Sequence, residues 1–242
     1  MGCAGWTLPQ GSKAHFPPAG SHLERYAVRL NGAEINSSFY RPHQPETYAR
    51  WADAVPCAFR FSVKLPKTIT HEARLSRTEA LLDSFLAQVR GLGERLGCLL
   101  VQLPPGLAFD ARLVRSFLEA LRRRHDGLVA CEPRHASWFT PEAHALLCAN
   151  RISRVLADPV LHATGERPAG WPGLVYCRLH GSPRMYYSAY STQTIAALAD
   201  RIALARQDGT QVWCMFDNTA SGAATADALA LSRRLQLTPA AA

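Results

Sequence analysis

Short β-rich runs recur eight times along this chain, and amphipathic helical stretches separate most of them. The runs are Gly2–Gly5, Gly32–Asn36, Phe59–Lys64, Cys98–Leu103, Leu128–Glu132, Ser153–Asp158, Leu174–His180 and Gln211–Asp217. Between two of them, Leu81, Leu82, Phe85, Leu86, Val89 and Leu92 fall at helical spacing in a stretch from Thr78 to Leu96. Leu113, Val114, Phe117, Leu118 and Leu121 do the same after Asp110. Asp110 and Thr140 read as N-caps, the second with Pro141 at the first helical position. Further helices are expected over 23–31, 45–54, 191–209 and 225–235. The exception follows the sixth run. There the stretch "PVLHATGERPAGWPG" is rich in proline and glycine, which predicts a loop with at most one helical turn.

Strands alternating with helices imply right-handed crossovers and a parallel sheet. Eight units in 242 residues is about 30 residues each, the size of one barrel repeat. An open doubly wound sheet would more often carry a glycine-rich phosphate turn, and none occurs. The expectation is an α/β fold: a single (β/α)8 TIM-type barrel over 1–237, with a reduced or missing helix after strand six. The "TPAAA" end, 238–242, reads as a disordered tail.

The seven cysteines form no C-x-x-C pair, and five of them lie inside apolar strand runs. They predict a reducing, cytoplasmic setting without disulfides or a zinc cluster. No apolar run reaches the roughly 20 residues a membrane helix needs, and the first residues lack a leader's pattern. The formal net charge of +8 admits an anionic partner, nucleic acid included. Only Lys13, Lys64 and Lys67 are lysines, however. An excess of arginine with abundant alanine also fits codon bias.

Side chains alternate between the two faces of a strand. In "GLVYCRLHGS", Val175, Cys177 and Leu179 take one face, and Tyr176, Arg178 and His180 take the other. Counting back from each carboxyl end extends the pattern. Strand two offers Glu34 and Asn36, strand three Arg60, Ser62 and Lys64, and strand four Gln102. Strand five offers Glu132 with Arg134 beyond it, strand six Asp158 and strand eight Asp217. Barrel active sites lie at the carboxyl ends of strands. A ring of charge there points to a functional pocket, since an apolar filling would be as stable. Trp6, Phe39, Tyr40, Trp138, Tyr186, Tyr187 and Tyr190 supply aromatic rings in loops of the same face.

The stretches "GCAGW", "AEINSSFYRPHQPETYARW", "FRFSVKLPKTITHEARL", "LVQLPP", "EPRHASW", "VYCRLHG" and "MFDN" resemble the YecE-like proteins, a family labelled as a domain of unknown function. The resemblance covers essentially the whole chain. It implies a TIM-type barrel and a pocket holding Glu34, Asn36, Lys64, Glu132, Arg134, His180 and Asn218, with no settled activity. That family more often has serine where this chain has Ala4, and asparagine where it has Asp217.

Three chemistries compete for such a pocket. The first is an enzyme acting on a phosphorylated, nucleotide-like or sugar substrate. Glu34, Lys64, Glu132, Asp158, His180 and Asp217 are then the catalytic candidates. Trp6, Asn36, Tyr40, Gln102, Arg134, Arg178 and Asn218 would bind the substrate, the arginines in bidentate fashion. This reading needs no cofactor. The second is a divalent-metal hydrolase or isomerase with Glu34, Glu132, Asp158, His180 and Asp217 as ligands. The third is a non-catalytic protein that binds a small anion or nucleic acid.

Overall fold

The computed structural model describes residues 1–207 and 209–236. The expected tail at 238–242 lies outside them. Ten strands form one curled, mostly parallel sheet. They are β1 (Gly2–Ala4), β2 (Gly32–Ile35), β3 (Arg60–Lys64), β4 (Leu96–Gln102), β5 (Leu128–Glu132), β6 (Ile152–Arg154), β7 (Leu156–Asp158), β8 (Ala169–Gly170), β9 (Leu174–Leu179) and β10 (Gln211–Phe216). The order across the sheet is β7-β9-β10-β1-β2-β3-β4-β5-β6-β8. The helices are α1 (His22–Ala27), α2 (Pro45–Asp53), α3 (Glu79–Val89), α4 (Ala111–Arg122), α5 (Pro141–Ala149), α6 (Thr192–Gln207) and α7 (Ala223–Arg234). Among the described residues no helix is long and apolar enough to cross a membrane.

Ten strands rather than eight arise where the sixth expected run is broken at Val155. Its first half, β6, pairs in parallel with β5, and its second half, β7, pairs with β9. The other edge of β6 is taken by β8, in an antiparallel pairing of Ser153 with Gly170. Gly170 has a φ of +75°, and a Cβ there would lie 2.4 Å from the Ile152 carbonyl. Only glycine lets the crossover lie this close. The rest of the 159–173 crossover holds one three-residue 3-10 turn, Ala163–Gly165, and no α-helix.

Local sequence sets the helix ends. Asp110 accepts from the Leu113 amide, and Thr140 accepts from the Ala143 amide ahead of α5. Ser21 and Glu24 form a reciprocal capping box on α1. The stretch expected to be helical from Thr78 to Leu96 instead ends as an α-helix at Val89 and continues as 3-10 turns to Arg95, with Gly93 at φ +50°.

Alternation along the strands divides the core in two. Cys3, Phe59, Phe61, Val63, Cys177 and Cys214 pack with the helices. Cys98, Leu100, Ala130, Tyr176, Trp213 and Met215 fill the inside of the curl. All five strand cysteines are buried, and all seven thiols are free. Burial pushes Cys3 up to about 12 and Cys177 to about 11, so these thiols are packing groups rather than nucleophiles.

Candidate active site

Alternation on β9 turns Tyr176, Arg178 and His180 to the inside of the curl. Arg178 is fully buried and meets three carboxylates from three other strands. Its Nη2 lies 2.7 Å from Glu34 Oε1, its Nη1 3.1 Å from Glu132 Oε2, and its Nη2 3.0 Å from Asp217 Oδ2. Nε donates to Glu34 Oε2 at 3.0 Å, making the Glu34 contact two-pronged. Tyr176 donates its hydroxyl to Glu34 Oε2 at 3.0 Å and lies 2.8 Å from Ser62 Oγ.

His180 bridges two of the same acids. Nδ1 is 3.1 Å from Asp217 Oδ2 and Nε2 is 2.8 Å from Glu132 Oε1. Burial opposes a charged ring. The hydrogen bonds to Asp217 and Glu132 outweigh it and raise the pKa above the ordinary value. Carboxylates at both nitrogens favour the protonated ring, although Arg134 Nη2 also lies 3.1 Å from Nε2. Burial likewise opposes ionised Glu132 and Asp217, but Arg178 beside them holds both well below the usual carboxylate range. Arg134 reaches in from just beyond β5, its Nη2 2.7 Å from Glu132 Oε1.

Lys64, at the end of β3, is different. It is 6% exposed, and among the described residues no carboxylate lies within 4.0 Å of it. Its Nζ sits 4.0 Å over the ring of Phe39. Burial, reinforced by the charge of Arg178, pulls its pKa down to about 8. Other buried polar atoms near the strand ends also lack partners: Asn36 Oδ1, Arg134 Nε, Asp158 Oδ2 and Asn218 Oδ1.

The sequence model of a protein family of unknown function, DUF72, matches residues 1–242. The chain belongs to the DUF72 family. A curated relative, the UPF0759 protein YecE of Escherichia coli K12, is 37% identical over 98 residues, which is 40% of this chain. That match covers 36% of the relative's length. Two solved structures are similar throughout. A DUF72 family protein of Enterococcus faecalis V583 superposes with a TM-score of 0.80 at 24% identity, covering 98% of this chain and 94% of that one. One from Thermotoga maritima MSB8 gives 0.79 at 23%, covering 97% and 98%. These likenesses show the fold.

Within this DUF72 chain, Glu34, Glu132, Arg178, His180 and Asp217 form one connected network, with Arg134 at its edge and Lys64 beside it. Gln102 is in register with Glu132 and faces the same interior. Arg178, expected to bind substrate, has every donor nitrogen committed to the protein's own acids. It is the pillar of the cluster. Asp158, expected as a catalytic group, does not join. Ala157, not Asp158, is in register with Arg178, while Asp158 pairs with Leu179. Alternation runs on through Val155, which packs inside with Ala157, so Asp158 faces the helix layer with Leu156. There it lines a cavity of about 460 Å³ with Leu156, Cys177 and Leu179.

Trp6 packs edge-on against Trp51 and Phe61 in the helix layer. Tyr40 is 69% exposed and touches Phe39 edge-on. Asn218 ties the chain together, donating to the Ser188 carbonyl and to Asp227. Arg60 bonds the carbonyls of Cys57 and Phe59 rather than a carboxylate.

Three participants carried no specific role in the sequence reading. Tyr176 was placed on the face of Arg178, and that parity was its signal. Phe39 was named only as one of several aromatics at the mouth, as was Tyr186. Tyr186 covers His180, with ring centroids 5.7 Å apart, and its amide bonds the His180 carbonyl at 2.5 Å. It stands at a φ of +69°, strained for a bulky residue.

The donor set does not suit a divalent ion. The guanidinium of Arg178 occupies the space between Glu34, Glu132 and Asp217 that an ion would need. Among the described residues no three His, Cys, Asp or Glu side chains are arranged to hold one.

Proposed function

We propose that this DUF72 chain is an enzyme performing acid–base chemistry on a small anionic substrate, phosphorylated or sugar-containing, at the carboxyl ends of its strands. The carrying observation is Lys64. Three carboxylates, Glu34, Glu132 and Asp217, are engaged by Arg178, Arg134 and His180, the last a cation when protonated. Lys64 is left as a fourth cation with no carboxylate of its own, which suits an anionic ligand. Asp217 and His180 make the proton-carrying pair: an imidazolium oriented by a carboxylate can give a proton and take it back. Arg134, half committed to Glu132, keeps Nε for a ligand oxygen. Asn36 Oδ1 supplies an acceptor for a hydroxyl.

Our reading of the architecture is that the curl closes into a barrel through the 153–158 segment. Its two halves belong to opposite margins of the sheet and are one residue apart. This places the ends of β2, β3, β5, β9 and β10 around one mouth.

The test begins with thermal-shift screening against phosphorylated sugars, nucleotides and abasic DNA. A ligand that raises the melting temperature should lose about 1.5–3 kcal/mol of binding in Lys64→Met, the usual worth of a hydrogen bond to a charged group. His180→Asn should keep the ligand and lose about 100-fold in turnover. A nucleic acid that binds wild type and Lys64→Met equally, with no small ligand found, would move function away from this site.

A further inference from the structure

We propose that Lys64 is a Schiff-base nucleophile for an aldehyde or ketone that carries an anionic group, such as the open-chain form of a phosphorylated sugar. The inference rests on the active-site reading above and names the class of substrate.

The geometry carries it. Lys64 is buried at a strand end, yet no carboxylate of the described chain lies within 4.0 Å of its nitrogen, and no hydrogen bond holds it. The carboxylates close enough to feel its charge, Glu34, Glu132 and Asp217, are spent on Arg178 and His180. Below the nitrogen lies the face of Phe39, with His71 edge-on to that ring and close enough to feel the charge of Lys64. Burial without a counter-ion of its own disfavours the charged amine, against the pull of the Phe39 face, and so makes the neutral, nucleophilic form accessible. The value of about 8 agrees with this. The other two lysines lack such a setting: Lys67 is paired with Glu72 at 3.1 Å on the surface, and Lys13 is exposed.

The step balances without a redox partner. The neutral Nζ adds to the carbonyl carbon. A C–N bond forms, and the π pair of the C=O bond moves onto oxygen, which takes a proton. Nζ gives up one proton as the carbinolamine forms; that oxygen then takes a second proton and leaves as water, and the nitrogen of the resulting iminium releases its remaining proton. Amine plus carbonyl becomes imine plus water. The anionic group of the substrate faces Arg134, while His180 and Asp217 lie where protons must come and go.

Trapping tests it. The whole protein is incubated with glyceraldehyde 3-phosphate, borohydride is added, and the adduct is mapped by peptide mass spectrometry. Borohydride delivers hydride to the imine carbon and leaves a stable secondary amine. We expect one reduced adduct per chain, on Lys64, formed faster as pH rises and levelling off above about 8. Lys64→Arg should lose it, and a Lys13→Arg/Lys67→Arg variant should keep it. Mapping on the wild-type peptide decides the outcome even where a variant folds poorly. Modification spread over Lys13, Lys67 and the amino terminus, or none at all, overturns the inference. Sorbitol 6-phosphate, which has no carbonyl, separates the two readings. If it raises the melting temperature while glyceraldehyde 3-phosphate leaves no trapped Lys64, the anion site stands and the covalent step falls. If it gives no shift and nothing is trapped, both fall.

Discussion

Arg178 and Glu34 meet through two nitrogens and two oxygens, at 2.7 and 3.0 Å, with neither side chain reaching solvent. A buried pair of this kind is weak support for stability as a whole, yet losing one member is severe, because the other is left charged and unpaired. Arg178→Met would strand Glu34, Glu132 and Asp217 together. It should destabilise the protein by about 3–5 kcal/mol, read from urea unfolding. Glu34→Gln keeps a polar partner and should cost less. The double variant should cost less than the sum of the two, since both singles break one network. A loss below about 1 kcal/mol for Arg178→Met would remove it as the pillar.

The same network sets a pH window. Glu132 and Asp217 titrate below the usual range in the folded protein. Their stabilisation is complete above about pH 4, the unfolded value, and is lost as acid takes the pH down through the folded values. His180 titrates above its ordinary value. Its contribution is complete below about pH 6.5 and is lost as pH rises through the folded value. Stability from this cluster should therefore peak between about pH 4.5 and 6.5. His180→Asn should flatten the decline on the alkaline side of that peak. Urea unfolding between pH 3 and 9 reads this, and a wild-type curve that climbs steadily to pH 8 contradicts it.

Lys64 has the opposite sign. Its pKa of about 8 in the fold lies below the unfolded value of about 10.4, so the charged form is penalised below pH 8 and relieved as pH rises between the two. Lys64→Met should be more stable than wild type at pH 7, by about 1–3 kcal/mol, and the gain should shrink by pH 10. A residue that costs stability where it stands is the expected signature of a working group. A less stable Lys64→Met at pH 7 would show that Lys64 is a structural cation instead.

Tyr186 shields His180 and holds a positive φ that glycine adopts freely. Tyr186→Gly exchanges relief of roughly 1–2 kcal/mol of backbone strain for about 1 kcal/mol of extra freedom in the unfolded chain. Stability should change little. The His180 ring protons should exchange with solvent faster, which nitrogen-edited NMR detects. Unchanged exchange would mean that the ring does not guard the imidazole.

Much of this arrangement was legible in the sequence. The period of two on Tyr176, Arg178 and His180, repeated at Glu34, Glu132 and Asp217, located the inward face because burial and alternation are local properties. The N-caps at Asp110 and Thr140 were legible for the same reason. Asp158 was not: counting back from the carboxyl end put it on the inner face, whereas Ser153, Val155 and Ala157 hold that face and Arg154, Leu156 and Asp158 the outer one. Nor was the role of Arg178. The sequence shows that a guanidinium points inward, but whether it meets a ligand or three carboxylates depends on three other strands, that of Glu34 144 residues away. Trp6 failed likewise: an aromatic just past a strand end can turn to the mouth or to the helices, and Trp51 decided it.

That distance has a kinetic meaning. Arg178 and Glu34 are 144 positions apart in the chain, so their bond closes a very long loop and can form only once both flanks of the sheet are in place. Contacts of such separation are paid for in chain entropy before they give anything back. The cluster therefore belongs to the last stage of folding, and its loss is felt in how fast the native state comes apart rather than in how fast it assembles. The charged centre acts as a latch on a finished molecule, not as a seed for making one.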